Sequence, residues 1–84
     1  MIKNKNLLIT GAATRVGKAI AIHFAERGWN IALHYFKSSS KARKLKKIIE
    51  QNWVKVVLIK ADLKNLKQVE KIMYLAKRNL GTID

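Results

Sequence analysis

Gly11 and Gly17 stand six residues apart with Arg15 between them, in the stretch TGAATRVGKAI that directly follows the apolar run Leu7-Leu8-Ile9. Glycines between a buried strand and a helix let the backbone approach an anion, which the free amides and positive dipole end of the helix then face. Gly11 permits such a turn, Ala12 and Ala13 keep it uncrowded, and Gly17 lets the first helical turn lie close to the strand. The chemistry suggested is phosphate binding, and its weight comes from the strand-turn-helix setting rather than from the glycines alone. Arg15 fits either a surface cation or a phosphate-facing one.

A second polar group follows the apolar run Ile31-Ala32-Leu33: His34, Tyr35, Lys37, Ser38 and Ser39. In dinucleotide-binding folds an Asp or Glu about 20 residues after the glycines accepts from the ribose 2′-hydroxyl, and a 2′-phosphate would be repelled there. No acidic residue occurs between Glu26 and Glu50. A cation with hydroxyl donors suits a phosphate monoester instead, which favours NADPH over NADH. A serine-rich loop that only caps the next helix is the alternative.

Other reactive chemistry is scarce. The chain has no cysteine, two histidines and five acidic residues scattered singly, so neither a disulfide framework nor a metal site is expected. No nucleophile stands beside a base, and no carboxylates are paired. Tyr74 and Lys77 are only three residues apart, and Tyr74 is read as a helix-surface aromatic; His23, on a helical stripe, is read as packed or partly buried.

These groups need a scaffold, and apolar periodicity supplies one. Leu7 to Ile9 read as a strand; Val16, Ala19, Ile20, His23, Phe24 and Arg27 follow helical spacing as a stripe, with Gly28 as the stop. Ile31 to Leu33 form a second strand. Ser38 to Ser40 offer an N-cap to a helix whose stripe is Ala42, Leu45, Ile48 and Ile49. A β-branched third strand spans Val54 to Ile59, and Asn65 caps a third helix with Leu66, Val69, Ile72, Met73, Ala76 and Leu80 inward and Gly81 at its end. The alternation predicts an α/β fold: a partial Rossmann βαβαβα arrangement in three layers, with three parallel strands, ending before a fourth.

The net charge of +13 suits a phosphate-bearing partner, although a general bias towards lysine accounts for it equally well. The basic run from Lys41 to Lys47 reads as the solvated face of a helix without interleaved aromatics, so nucleic acid is not the expected partner. No run approaches the roughly 18 apolar residues of a membrane span, and a cytoplasmic location is expected.

TGAATRVG resembles the glycine motif of the short-chain dehydrogenase/reductase family: a Thr-Gly pair, three residues, a usual glycine, any residue and a final glycine. Thr10, Gly11, Arg15 and Gly17 stand at those places, so Arg15 replaces the middle glycine. That arginine, with LHYFKSS from Leu33 to Ser39, is similar to the pteridine reductase branch, and Ala61-Asp62-Leu63 and Leu80 to Asp84 carry the likeness along the whole chain. The resemblance implies that Gly11, Thr14, Arg15, Val16 and Gly17 wrap the cofactor pyrophosphate and that His34, Tyr35, Lys37, Ser38 and Ser39 take the 2′-phosphate side. It implies that Asp62 accepts from the adenine amino group and Leu63 gives a backbone contact; an ordinary turn aspartate is the alternative for Asp62.

The same resemblance implies an NADP(H)-dependent oxidoreductase whose catalytic residues belong beyond Asp84. Residues 1–84 are thus read as an incomplete NADP-binding domain, with no catalytic residues and no activity alone. In the complete fold the first strand is central, so its outer edge is expected to invite self-association or a partner. The competing readings are a non-enzymatic nucleotide-binding or interaction module and, behind it, a basic nucleic-acid binder.

Overall fold

The computed structural model describes residues 5–11 and 14–84, so Ala12 and Ala13 of the glycine turn lie outside the described residues. The strands are β1 (Asn6–Ile9), β2 (Asn30–Tyr35) and β3 (Val56–Lys60); the helices are α1 (Arg15–Ala25), α2 (Ser39–Glu50) and α3 (Leu66–Leu80). All pairing is parallel in the order β1-β2-β3, with Leu8 opposite Ala32 and Leu33 opposite Leu58. Successive side chains of a strand point to opposite faces. Accordingly Ile9, Ile31, Leu33 and Val56 pack with Ala21 and Ala25 of α1 and Leu45 and Ile49 of α2, whereas Ala32 and Ile59 pack with Ile72 and Ala76 of α3. This is the three-layer partial Rossmann arrangement, with β2 central.

The inner face of α1 departs from the expected stripe. Gly17, Ala21 and Ala25 are its buried residues, while Val16 is 69% exposed and Ala19, Ile20 and His23 are exposed too. The helix is turned by one residue so that a ridge at i, i+4 and i+8 with almost no side chain lies on the sheet. Periodicity ranks valine and isoleucine above glycine and alanine as core residues, but close approach favours the small ones. His23 is therefore solvent-facing, its ring edge-on to Phe24 at 5.4 Å. A milder departure occurs in α2 and α3, where Ile48, Leu66 and Met73 of the expected stripes are exposed.

The ends of the helices follow local chemistry. Thr14 and Asn65 cap α1 and α3 through side chains that accept from the amides of Gly17 and Lys67. Ser38 occupies the N-cap position of α2 but makes no side-chain cap bond. Gly28 and Trp53 both adopt positive φ, 84° and 61°, in the turns that lead into β2 and β3. Among the described residues no helix is long and apolar enough to cross a membrane.

Asn6 ties the start of β1 to the last residues. Its side chain, 2% exposed, donates to the carbonyls of Leu80 and Thr82 and accepts from Asn30 Nδ2. Gly81 to Asp84 thus run back beside β1.

Candidate functional site

Parallel strands end at one edge of the sheet, and in open α/β sheets this carboxyl edge is where ligands bind. A cavity of about 720 Å3 opens there. Gly11 and Thr14 line it after β1; His34, Tyr35, Phe36, Lys37, Ser38 and Lys41 line it around the end of β2 and the start of α2; Asp62, Leu63 and Lys64 line it after β3. Its size falls in the range of small-molecule and cofactor sites.

The glycine turn is built from both sides. Gly11 has φ +64°, where an added Cβ would only touch Thr14 Cγ2 at 3.8 Å, so the backbone conformation rather than space requires glycine. Its carbonyl accepts from the Thr14 amide at 3.0 Å and from the Thr14 hydroxyl at 2.7 Å. The same hydroxyl accepts from the Gly17 amide at 3.1 Å. Thr14 is thereby held as the cap of α1, and the positive end of that helix points out beside the cavity.

His34 is buried in the floor. Its Nδ1 accepts from the Gly11 amide at 3.1 Å, and its Nε2 lies 2.8 Å from the Ala61 carbonyl. After β3, the Asp62 amide donates to Gln68 Oε1 at 2.7 Å, and Asp62 Oδ1 accepts from the Lys64 amide at 2.9 Å, which fixes the carboxylate in the wall. Lys37 Nζ lies over the Phe36 ring, 5.5 Å from its centroid. Three lysines, 37, 41 and 64, therefore line the cavity against one carboxylate, Asp62. Such a wall attracts a polyanion, while Phe36 and Leu63 offer it apolar surface.

Residues 5–84 match the sequence profile of the short chain dehydrogenases. The chain belongs to the short-chain dehydrogenase family. It is 35% identical over 83 residues to versicolorin reductase 1 of Dothistroma septosporum, covering 99% of this chain and 32% of that protein. A short-chain dehydrogenase of Oenococcus oeni superposes with a TM-score of 0.90 at 36% identity, over 98% of this chain and 36% of that one. An alcohol dehydrogenase of Thermococcus sibiricus, solved in complex with 5-hydroxy-NADP, gives a TM-score of 0.87 at 28% identity, over 95% of this chain and 34% of that one. The chain thus spans about a third of the length of these relatives.

Of the residues singled out from the sequence, Gly11, Thr14, His34, Tyr35, Lys37, Ser38, Asp62 and Leu63 line this cavity. Arg15 and Val16 are exposed on the first turn of α1, Gly17 is buried there, and Ser39 is half-buried at the start of α2; none of these four lines the cavity. Phe36, Lys41 and Lys64 line it too; Phe36 falls within LHYFKSS and Lys41 opens the basic run, but none of the three was singled out as a site residue. Lys41 is brought back by the first turn of α2, three residues after Ser38, and Lys64 by the Asp62 turn, so the signal for both was position relative to a cap rather than residue type.

Proposed function

We propose that this chain is the NADP(H)-binding amino-terminal part of an oxidoreductase, similar to pteridine reductases, in which the remainder of the substrate site and the catalytic residues come from further sequence. The observation that carries this reading is the lysine wall: Lys37, Lys41 and Lys64 share a cavity with the glycine turn, and no carboxylate stands at the end of β2. A carboxylate there would accept from a free ribose hydroxyl, whereas cations and Ser38 suit its phosphate ester. Arg15, exposed at the amino end of α1, adds a cation on the pyrophosphate side. Asp62, with one oxygen held by the Lys64 amide, presents its carboxylate to an adenine amino group.

When bound, the nicotinamide cofactor supplies or accepts the hydride. The residues of this chain grip and orient the nucleotide end: the Gly11 turn admits the pyrophosphate, the lysines neutralise the 2′-phosphate, and Phe36 and Leu63 cover the base. The branch assignment rests on Arg15 together with the His34-Tyr35 pair. Titrating the chain with NADPH and NADH tests the cofactor reading: tighter binding of NADPH, weakening with salt, is expected. Equal affinity for the two would refute it.

A further inference from the structure

His34 is the only buried titratable side chain among the described residues, at 2% exposed, and both of its ring nitrogens are occupied by backbone groups. An amide N–H can only donate and a carbonyl can only accept, so Nδ1 is bare and Nε2 carries the proton. The two partners lie on different connections: Gly11 follows β1 and Ala61 follows β3, while His34 itself is in β2. The ring therefore bridges the three strand ends that form the cavity.

The bridge continues beyond the ring. From the Ala61 carbonyl, hydrogen bonds run through His34 to the Gly11 amide, from the Gly11 carbonyl to the Thr14 hydroxyl, and from that hydroxyl to the Gly17 amide in α1. Gly11, whose φ of +64° gives the turn its shape, is thus gripped at its amide by His34 and at its carbonyl by Thr14. An apolar side chain of similar size at position 34 would fill the space but leave the Gly11 amide and the Ala61 carbonyl without their partner.

We infer that His34 is a positioning residue for the dinucleotide: Nδ1 of its neutral imidazole organises the glycine turn through the Gly11 amide, and the Ala61 carbonyl seats the ring from the other side. This rests on the cofactor reading above. His34 acts through Gly11 and Ala61, and it does so from the floor of the site without lending a charge to the ligand.

The two bonds can be separated on the full chain. Asparagine can place Oδ1 near the position of Nδ1 and keep the acceptor for Gly11, whereas glutamine can place its amide nitrogen near Nε2 and keep the donor for Ala61. Each variant loses one bond, so His34→Asn and His34→Gln should fall in Tm by similar amounts. NADPH affinity should split them: about tenfold weaker for His34→Gln and within about twofold of wild type for His34→Asn, as expected when one hydrogen bond organises the turn. Equal weakening in both variants, or the reverse order, overturns the inference.

The wild-type chain supplies an independent readout if a variant does not fold. Nitrogen-15 spectra should show the His34 ring protonated at Nε2 alone and the Gly11 amide slow to exchange; a proton on Nδ1 or a rapidly exchanging Gly11 amide overturns the inference without any substitution. Wild-type chain that fails to bind NADPH removes the cofactor reading and the positioning role with it. Binding that is intact but indifferent to which bond is lost removes the positioning role alone.

Discussion

Asn6 and Asp84 face each other across 78 residues of sequence: the Asn6 amide donates to Asp84 Oδ2 at 3.0 Å, and the Asp84 amide donates to the Asn6 carbonyl at 2.9 Å. The outer side of β1 is therefore engaged at its first residue. The Asn6 side chain adds three more bonds, holding the Leu80 carbonyl at the end of α3, the Thr82 carbonyl just beyond it and the Asn30 amide group that starts β2.

Replacing Asn6 by leucine should cost about 2–3 kcal/mol, because two carbonyls and one amide group lose partners in a buried place. Urea unfolding followed by circular dichroism measures it. Asn6→Asp should be at least as damaging, since a carboxylate has no donor to offer the Leu80 and Thr82 carbonyls. Wild-type stability in both variants would mean that water serves those carbonyls equally well.

Lys41 offers a sharper test of the cofactor than Lys37. It projects from α2 and owes its place in the cavity to the helix, so Lys41→Ala should leave the fold intact and weaken NADPH about three- to tenfold with little change for NADH, as expected for a charge-assisted contact. Lys37→Glu should reverse the preference between the two cofactors. Calorimetric titration at two salt concentrations checks both, and a parallel loss for NADH would assign these lysines to general charge attraction.

The turns into β2 and β3 make a matched pair. Gly28 has open space where a Cβ would sit, so Gly28→Ala should cost about 1 kcal/mol from the backbone conformation alone. Trp53 adopts the same left-handed region while 94% exposed, paying strain for no packing within the chain. Trp53→Gly should be neutral or raise stability by up to about 1 kcal/mol. Thermal melts of the two variants should move in opposite directions.

β1 stands at one edge of the described sheet, and beyond Asn6 the stretch Leu7 to Ile9 presents its outer side without a neighbouring strand. Unpaired edges template association. The 84-residue chain should therefore melt in a concentration-dependent way and elute larger than a monomer at high concentration. A sharp, reversible melt that is the same at every concentration counts against it.

The architecture was legible because it rests on patterns that composition cannot imitate. Apolar runs ended by polar residues gave three strands, and Asn65, Gly28 and Gly81 marked helix ends by their own conformational preferences. The face of α1 was not legible, since Gly17, Ala21 and Ala25 form the contact by being small, and hydrophobic periodicity assigns least weight to such residues. His34 was singled out from the sequence and lines the cavity, but its bonds to Gly11 and Ala61 depend on which strands become neighbours, a fact that residue types do not contain. Lys41 and Lys64 illustrate the same limit: lysines are frequent throughout this chain, and only the turn of a helix or loop selects two of them for the cavity.

The ridge of Gly17, Ala21 and Ala25 has a mechanical consequence. With only two alanine methyls left to trim, α1 has little room to move inwards, and larger residues can change its height above the sheet in only one direction, outwards. Any branched residue on that ridge works as a wedge at the fulcrum of a lever whose far end is Thr14. A substitution deep in the core, remote from every polar group of the cavity, would in this way be felt as a displaced phosphate turn.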